Sequence, residues 1–216
     1  YEAIPVKKGN KYNLDIKINV KGDLKNKKLD VALHDGVKFI ATEKVDAQKV
    51  TEITFKNLEV DEWNAEIPRL YELYITLVDG KDEVMTIRSY TGFKDIKIKN
   101  AVFYFNGKKV KLKGVNHHDT RETKGYALNY EDLLKDVLLM KEYNVNCVRT
   151  SHYPPDPVFL DLCDKYGIYV IDEADIECHG VARIPELRGS VSHNSEWKVH
   201  FWDRVSRMYE RDKNNP

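Results

Sequence analysis

The chain has 216 residues, of which 42% are hydrophobic, so it can form one or two domains with a sizeable core. Its 35 basic and 35 acidic side chains balance, which gives no electrostatic reason to expect nucleic acid or an anionic membrane surface as a partner. No segment approaches the roughly 20 apolar residues that a membrane span needs, so no membrane partner is expected.

The cysteines bear on the location of the protein. Cys147, Cys163 and Cys178 are odd in number and lack the Cys-x-x-Cys spacing of zinc ribbons. We interpret them as reduced thiols, which favours a cytoplasmic protein. Residues 1–5 carry no secretion signal, and we expect the sequence to begin in the interior of a longer protein.

Short segments of alternating apolar and polar residues fill the first part of the chain. Residues 12–20 alternate in this way, which is typical of an antiparallel strand with one buried face. The pairs Asp35-Gly36 and Asp79-Gly80 each follow such a segment and are strong hairpin signals. About seven strands at this spacing predict an immunoglobulin-like β-sandwich domain over residues 1–98.

Two irregular stretches flank the end of this predicted domain. Residues 63–71 interrupt the alternation and contain a proline, so we predict a loop there, with Trp63 in the core. Residues 102–110 are predicted to form a hairpin around Asn106-Gly107. They lead into residues 112–116, which we interpret as the first strand of a second domain.

Helical and strand patterns alternate from there. Asn129 is predicted to cap a helix, followed by a strand at residues 145–150. Asp156 caps a second helix and Gly167 ends it. Residues 168–171 form the next strand, which is apolar on both faces and is therefore expected to lie in a parallel sheet covered by helices. The apolar residues expected on one face of the first helix are Leu133, Leu134, Val137, Leu138 and Met140.

A last helix is predicted to begin at the cap Ser195 and to end before Pro216. Residues 99–216 therefore read as three strand-helix units in order. A (β/α)8 barrel contains about eight such units in about 250 residues. We interpret residues 99–216 as the first three βα units of a TIM barrel, incomplete in this chain, so the fold class is β followed by α/β.

Polar motifs stand where two of these strands end. Residues 149–154 read Arg-Thr-Ser-His-Tyr-Pro, and residues 172–180 bring four acidic side chains and one imidazole together within eight positions. Active sites of βα folds are built at such strand ends. A solvated loop with internal salt bridges is the alternative that the spacing alone leaves open.

These motifs resemble a known family. Together with residues 63–68, 114–118 and 210–216, they closely resemble bacterial β-galactosidases of glycoside hydrolase family 2. The resemblance implies an immunoglobulin-like domain followed by the start of the catalytic barrel. It also implies part of a retaining enzyme that hydrolyses terminal β-D-galactosides and is a homo-oligomer at full length. Retaining glycosidases use two carboxyl groups, which in the family lie on later strands, so no catalytic residue is expected in this chain and the chain alone is expected to be inactive.

The resemblance also implies roles for individual residues. His118 and His152 are expected to bind sugar hydroxyls, and Arg149 is expected to orient the nucleophile. Glu177 and His179 are expected to bind Mg²⁺, as an incomplete site because Mg²⁺ prefers a full octahedral shell. Zinc at Cys178 and His179 is a weaker alternative, since no further ligands stand at suitable spacing.

Two other functions remain open on the sequence. The Arg-Thr-Ser-His-Tyr-Pro motif at residues 149–154 is shared with related family 2 β-glucuronidases, so it does not identify the sugar. A non-catalytic carbohydrate-binding or interaction module, in which the sandwich acts alone, is the alternative from another class of protein. The motifs at residues 149–154 and 177–179 favour the hydrolase, because a binding module would need neither an arginine for a nucleophile nor a pair of metal ligands.

Overall fold

The computed structural model describes residues 1–187 and 189–216. The chain divides into two compact units: unit 1 comprises residues 1–111 and 214–216, and unit 2 comprises residues 112–213. The expected domain boundary between residues 98 and 99 stays a prediction. None of the described helices is both long and apolar enough to cross a membrane.

Unit 1 consists of antiparallel strands. They are β1 (Glu2–Lys8), β2 (Lys11–Asn19), β3 (Lys27–Asp35), β4 (Lys38–Asp46), β5 (Val50–Leu58), β6 (Tyr71–Asp79), β7 (Asp82–Thr91), β8 (Ile96–Lys99), β9 (Val102–Phe105) and β10 (Lys108–Lys109). One sheet has the order β1-β2-β5, a second has β4-β3-β6-β7, and a third has β10-β9-β8.

The first two sheets of unit 1 share one hydrophobic core. Leu14 and Ile16 are buried on β2 while the intervening Asp15 is exposed, which confirms the predicted alternation. Val31 of β3 and Leu73 of β6 belong to the same buried cluster, so side chains of both sheets meet there. Two sheets around a common core form a β-sandwich. Because β4 pairs with β3 rather than with the first sheet, the strand order differs from that of constant-type immunoglobulin domains, and the immunoglobulin-like assignment stays a prediction.

The predicted irregular segments are confirmed. Asn106 and Gly107 have φ angles of 52° and 74°. They join β9 to β10 through the type of hairpin turn that requires two residues with positive φ. Trp63 is 1% exposed, and its backbone N–H donates to the carbonyl oxygen of Phe93 at 2.8 Å. The loop at residues 63–71 is therefore fixed to the core by its aromatic residue.

Asn214 belongs to unit 1 and contacts the first residues of the chain. The backbone N–H of Ala3 donates to its Oδ1 at 2.9 Å, and its Nδ2 donates to the carbonyl oxygen of Tyr1 at 3.2 Å. Lys94 Nζ donates to the carbonyl oxygen of Asn215 at 2.8 Å. These bonds attach the residues after position 213 to the first strand and to the segment that follows β7.

Unit 2 contains a parallel sheet with the order β11-β12-β13. Its elements are β11 (Gly114–His117), α1 (Tyr130–Glu142), β12 (Cys147–Thr150), α2 (Pro157–Tyr166), β13 (Tyr169–Ile171), α3 (His179–Ala182) and α4 (Lys198–Asp212). Strands alternate with helices as predicted. That they begin an eight-unit barrel stays a prediction.

The predicted helix ends are largely confirmed. Asn129 forms a capping box with Asp132, each side chain bonding the other's backbone N–H. Asp156 Oδ1 accepts from the backbone N–H of Val158 at 2.8 Å at the start of α2. Gly167 ends that helix in the left-handed conformation, with a φ angle of 74°.

Three expectations for unit 2 are corrected. Leu138 is 45% exposed, because the buried stripe of α1 is centred on Leu133 and Val137 and Leu138 lies one residue further round the helix. Ser195 is not the cap of the last helix; Asn194 Oδ1 caps a short 3-10 turn at residues 195–197 that precedes α4. The strand β13 is not covered on both faces, since Ile171 is 48% exposed.

Candidate active site

The candidate site lies at the carboxyl ends of β11, β12 and β13. Arg149 of β12 stands opposite Asn116 of β11 and Ile171 of β13. Because side chains alternate along a strand, residues in register with Arg149 or two positions further on share one face. That face, here called the site face, carries Asn116, His118, Arg149 and Glu173. The next residues in register, His117, Thr150 and Asp172, point the other way.

Arg149 is held by one acceptor on β11 and by another just after β13. Its Nε donates to Glu173 Oε2 at 2.5 Å, and its Nη1 donates to Asn116 Oδ1 at 3.3 Å. The sequence predicted Arg149 at this edge, where a buried guanidinium is unfavourable without a carboxylate partner. The structure identifies that partner as Glu173.

Glu173 connects Arg149 to His152. Its second oxygen, Oε1, lies 3.0 Å from Nδ1 of His152, and its backbone N–H donates to Thr150 Oγ1 at 3.0 Å. Glu173 is one of the four acidic residues of the 172–180 motif, and no role was predicted for it. The signal that could have found it is the register, because Glu173 lies two positions beyond Ile171, the neighbour of Arg149.

His118 completes the site face. Its Nδ1 lies 3.3 Å from the hydroxyl oxygen of Tyr153, which accepts the backbone N–H of Asp119 at 3.2 Å. The ring of His118 lies 5.5 Å from that of His152, at 71° to it. The predicted substrate residues His118, Arg149 and His152 are therefore neighbours, although their roles stay predictions.

His117, adjacent in sequence, is part of the packing instead. Its ring lies parallel to that of Phe159 of α2, with centroids 4.5 Å apart, and Nε2 lies 2.9 Å from Asp136 Oδ2. Burial opposes ionisation of Asp136, but hydrogen bonds from Arg121 and His117 outweigh it and hold the pKa of that carboxyl below its usual range. Of the two adjacent histidines, His118 is thus the exposed one at the site.

Asp172 lies behind the site face. The pKa of Asp172 is raised to about 6, chiefly by burial and secondly by a hydrogen bond with the side chain of Asp212. The hydroxyl of Thr150 donates to its Oδ1 at 3.3 Å. Asp212 is in turn bonded by Arg211, through Nε at 2.6 Å and Nη2 at 2.8 Å. The same Thr150 hydroxyl therefore touches both Asp172 and the backbone of Glu173.

Glu177 and His179 form a separate pair beside the site face. Glu177 Oε1 contacts Nδ1 of His179 and accepts its backbone N–H at 2.8 Å. The ring of His179 lies 6.3 Å from that of His152. Side-by-side oxygen and nitrogen donors suit two adjacent positions of an octahedral ion. Within residues 1–187 and 189–216, no group of three or more potential ligands surrounds a common point, so the expected binding of Mg²⁺ by Glu177 and His179 stays a prediction.

A cavity of ≈ 320 Å³ lies next to this pair. Glu177 and Cys178 line one side of it, and Trp197, Phe201 and Arg204 line the other. It does not include the side chains of the site face. Its apolar lining comes from Ile176, Val181, Val191 and Trp197 as well as from Phe201 of α4, a helix on which no buried residue occurs among those described.

The arrangement suits a ligand rich in hydroxyl groups. A guanidinium, two imidazoles and a carboxylate are held at fixed positions, and they supply both hydrogen-bond donors and acceptors. The structure brings together His118, Arg149 and His152 directly, and it joins His179 to them through His152. Glu177 is connected only through His179.

Comparison with known families gives two matches along the chain. Residues 96–216 match the family described as "Glycosyl hydrolases family 2, TIM barrel domain". Residues 3–94 match the family described as "Glycosyl hydrolases family 2". A β-sheet domain followed by an α/β domain is therefore confirmed.

Curated relatives are similar over part of their length. A β-galactosidase of Priestia megaterium is 43% identical over 159 residues, which cover 71% of this chain and 15% of that protein. A β-galactosidase of Streptococcus thermophilus is 36% identical over 208 residues, covering 94% of this chain and 20% of that protein. A β-galactosidase of Alteromonas mediterranea is 41% identical over 169 residues, covering 76% and 16%. The chain thus spans between 15% and 20% of these relatives.

Solved structures share the fold at lower identity. A β-glucuronidase from Ruminococcus gnavus in complex with D-glucaro 1,5-lactone gives a TM-score of 0.83 at 22% identity, over 100% of this chain and 35% of that one. A Bifidobacterium dentium β-glucuronidase gives 0.80 at 24% identity, over 96% and 32%. At this identity the similarity concerns the fold alone.

Proposed function

Since this chain belongs to glycoside hydrolase family 2, we propose that it is part of a retaining β-galactosidase that hydrolyses terminal β-D-galactosides. One observation carries the proposal: Arg149, His152 and His118 form one hydrogen-bonding surface in a chain that is 36% to 43% identical to β-galactosidases. The glucuronidases are similar in fold alone, so a galactoside is the favoured substrate.

The site face would bind and orient the sugar. His118 and His152 would exchange hydrogen bonds with ring hydroxyls, which act as both donors and acceptors. Arg149 would hold the carboxylate nucleophile of the retaining mechanism, whose two carboxyl groups are about 5 to 5.5 Å apart. We place both of these carboxylates outside residues 1–216, because in the family the acid/base stands in an Asn-Glu pair and this sequence contains none.

Glu177 and His179 would hold Mg²⁺ together with water or groups outside the described residues. Bound there, the ion would supply positive charge beside the sugar-binding surface. The adjacent carboxylate and imidazole donors support this role. We further propose a cytoplasmic, homo-oligomeric protein. Its cysteines support the location, since Cys147, Cys163 and Cys178 are all free.

The proposal is tested with the protein expressed from the complete reading frame that contains residues 1–216. It should hydrolyse an aryl β-D-galactoside and leave the corresponding β-D-glucuronide intact. Arg149→Lys should lower kcat/KM at least about 100-fold, because lysine cannot reproduce the guanidinium fork. Arg207→Lys, at a position whose side chain is 80% exposed on α4, is the matched control. Preferential turnover of the glucuronide would overturn the proposed substrate.

Residues 1–216 alone give a second readout of the same proposal. Without the two catalytic carboxyl groups, the isolated chain should show no hydrolysis of aryl β-galactosides above the uncatalysed rate. Turnover by a rigorously purified sample that is lost in Arg149→Lys would mean that the catalytic carboxylates lie among the residues described here.

A further inference from the structure

We infer that Glu173 is a positioning residue of the site: it fixes the ring proton of His152 on Nδ1, so that His152 presents the lone pair of Nε2 to the ligand. The identity of that ligand as a galactoside rests on the proposed function. The proton position rests only on the contacts around the imidazole.

Nδ1 of His152 has two contacts that require opposite protonation, and the shorter one, to Glu173, decides the assignment. Glu173 Oε1 lies 3.0 Å from His152 Nδ1, and an ionised carboxylate can only accept hydrogen bonds. A lone pair on Nδ1 would face a negative oxygen at that distance, whereas an N–H there donates to it. Arg149 Nη2, which can only donate, also lies 3.3 Å from Nδ1, and a protonated Nδ1 cannot accept from it. The shorter contact, 3.0 Å to the charged acceptor Glu173, takes precedence, and Arg149 keeps Glu173 and Asn116 as acceptors through Nε and Nη1.

Glu173 is itself held so that it can define this proton. Its side chain is 22% exposed, and its two oxygens are divided between Arg149 and His152. The backbone N–H of Glu173 donates to Thr150 Oγ1, whose own proton is donated to Asp172. The backbone of Glu173 and both of its carboxylate oxygens are therefore held in place, as is common for carboxylates that orient functional histidines.

His118 receives the opposite assignment from its neighbours. The hydroxyl oxygen of Tyr153 accepts the backbone N–H of Asp119 at 3.2 Å, and its own proton is free to be donated to Nδ1 of His118, 3.3 Å away. The proton of His118 then resides on Nε2. The two rings, 5.5 Å apart, thus offer one donor and one acceptor, which together match a pair of neighbouring hydroxyls on one sugar ring.

The experiment measures both tautomers in the chain of residues 1–216 labelled with ¹⁵N-histidine, at a pH of about 8.5, roughly two units above the reference pKa of a free imidazole. Two-bond ¹H–¹⁵N correlations distinguish protonated from bare ring nitrogens. We expect Nδ1–H for His152 and Nε2–H for His118 in the same spectrum. An Nε2–H tautomer for His152 in the unmodified chain would overturn the inference without any variant being needed.

Glu173→Gln then tests whether the carboxylate is the cause. Glutamine replaces one of the two carboxylate oxygens with an NH₂ donor, whereas Arg149 and His152 each contact a different oxygen of Glu173. The variant should lose the Nδ1–H signature of His152 and leave His118 unchanged, whereas Glu142→Gln, at an exposed position of α1, should alter neither. An unchanged tautomer of His152 in a folded Glu173→Gln variant would assign the proton to another cause and overturn the role of Glu173.

Measurements of enzymatic activity separate this inference from the proposed function. In the protein from the complete reading frame, Glu173→Gln should lower kcat/KM for the galactoside about 10- to 100-fold, the range typical of lost supporting hydrogen bonds. If His152 carries its proton on Nδ1 but no galactoside is hydrolysed, the proposed function fails and the positioning role stands. If hydrolysis occurs and is unaffected by Glu173→Gln, the positioning role fails alone.

Discussion

The imidazole of His117 lies flat on the ring of Phe159, with centroids 4.5 Å apart and an interplanar angle of 7°. Its Nε2 bonds Asp136, and its side chain is 9% exposed, whereas His118 is exposed beside Tyr153. One residue along the strand thus separates a packing histidine from one at the site. The distinction yields opposite expectations for the two positions.

His117→Ala should lower the free energy of unfolding of unit 2 by about 2 kcal/mol, because it removes the stack and deprives Asp136 of a hydrogen bond. His118→Ala should change it by less than about 0.5 kcal/mol, since the side chain is exposed. In the protein from the complete reading frame, His118→Ala should instead raise KM for the galactoside. Urea titration and steady-state kinetics provide the two measurements. Equal stability losses would contradict the assignment.

Gly114→Ala should disturb the start of β11. A Cβ at this position would lie 2.9 Å from the carbonyl oxygen and 3.2 Å from the Cβ of Cys147, so the strands must move apart. We expect a loss of about 1 to 3 kcal/mol in thermal or urea unfolding. Gly180→Ala is the control, because no atom lies within 4 Å of its added Cβ and its φ angle is not positive. A destabilisation equal to that of the control would show that β11 can shift freely.

Asp172→Asn should stabilise unit 2 at pH 8 and have little effect near pH 4. The pKa of Asp172 rises from 3.8 to about 6 on folding, so its favourable contribution is complete below 3.8 and is lost as the pH rises through about 6. Above that pH the ionised group faces the Asp212 carboxylate, while Arg211 partly compensates. Asparagine mimics the protonated form, and we expect a gain of about 1 kcal/mol after allowance for solvent screening.

Hydrogen exchange of peptides from β12 and α2 at both pH values measures the effect of Asp172→Asn within unit 2. Asp203→Asn removes a carboxylate from an exposed ion pair with Arg207 on α4 and should change little at either pH. A gain from Asp172→Asn that is as large near pH 4 as at pH 8 would show that ionisation is not its cause.

Magnesium should bind the isolated chain weakly. With Glu177 and His179 as the protein ligands, we expect a Kd in the millimolar range or above, which corresponds to about 4 kcal/mol or less. Calorimetry with MgCl₂ measures this, with Glu186→Gln as an exposed control for Glu177→Gln. Micromolar affinity that disappears in Glu177→Gln would mean that the ligand set within the chain is larger than this pair.

Local signals explain which features were predictable from sequence. The Asn106-Gly107 turn and the caps Asn129 and Asp156 depend on residues a few positions apart, and all are confirmed. Leu134 and Leu138 were both expected on the apolar face of α1, but the periodicity fixes the rotation of a helix against its neighbours only approximately, and Leu138 is exposed. Tertiary packing decides such borderline positions.

The sequence predicted at which strand ends the site lies, but not which of its side chains contact each other. Arg149 and His152 were found from one motif, yet Glu173 could be recognised only from the register that places Ile171 beside Arg149. The position of Phe159, 42 residues after His117, likewise decides which of the two adjacent histidines faces α2. Contacts between separate strands and helices carry this information, and single motifs do not.

Asn214 joins the end of the chain to the first residues of unit 1. Its hydrogen bonds to Ala3 and Tyr1 span 211 and 213 positions, so unit 1 is discontinuous in sequence and residues 112–213 form the intervening loop. Contacts of such separation raise the contact order and are favoured only after the loop-closure entropy has been overcome. During synthesis, the sandwich can therefore assemble its sheets early. The hydrogen bonds from the Asn214 side chain to the first residues form only after every residue of unit 2 has been made.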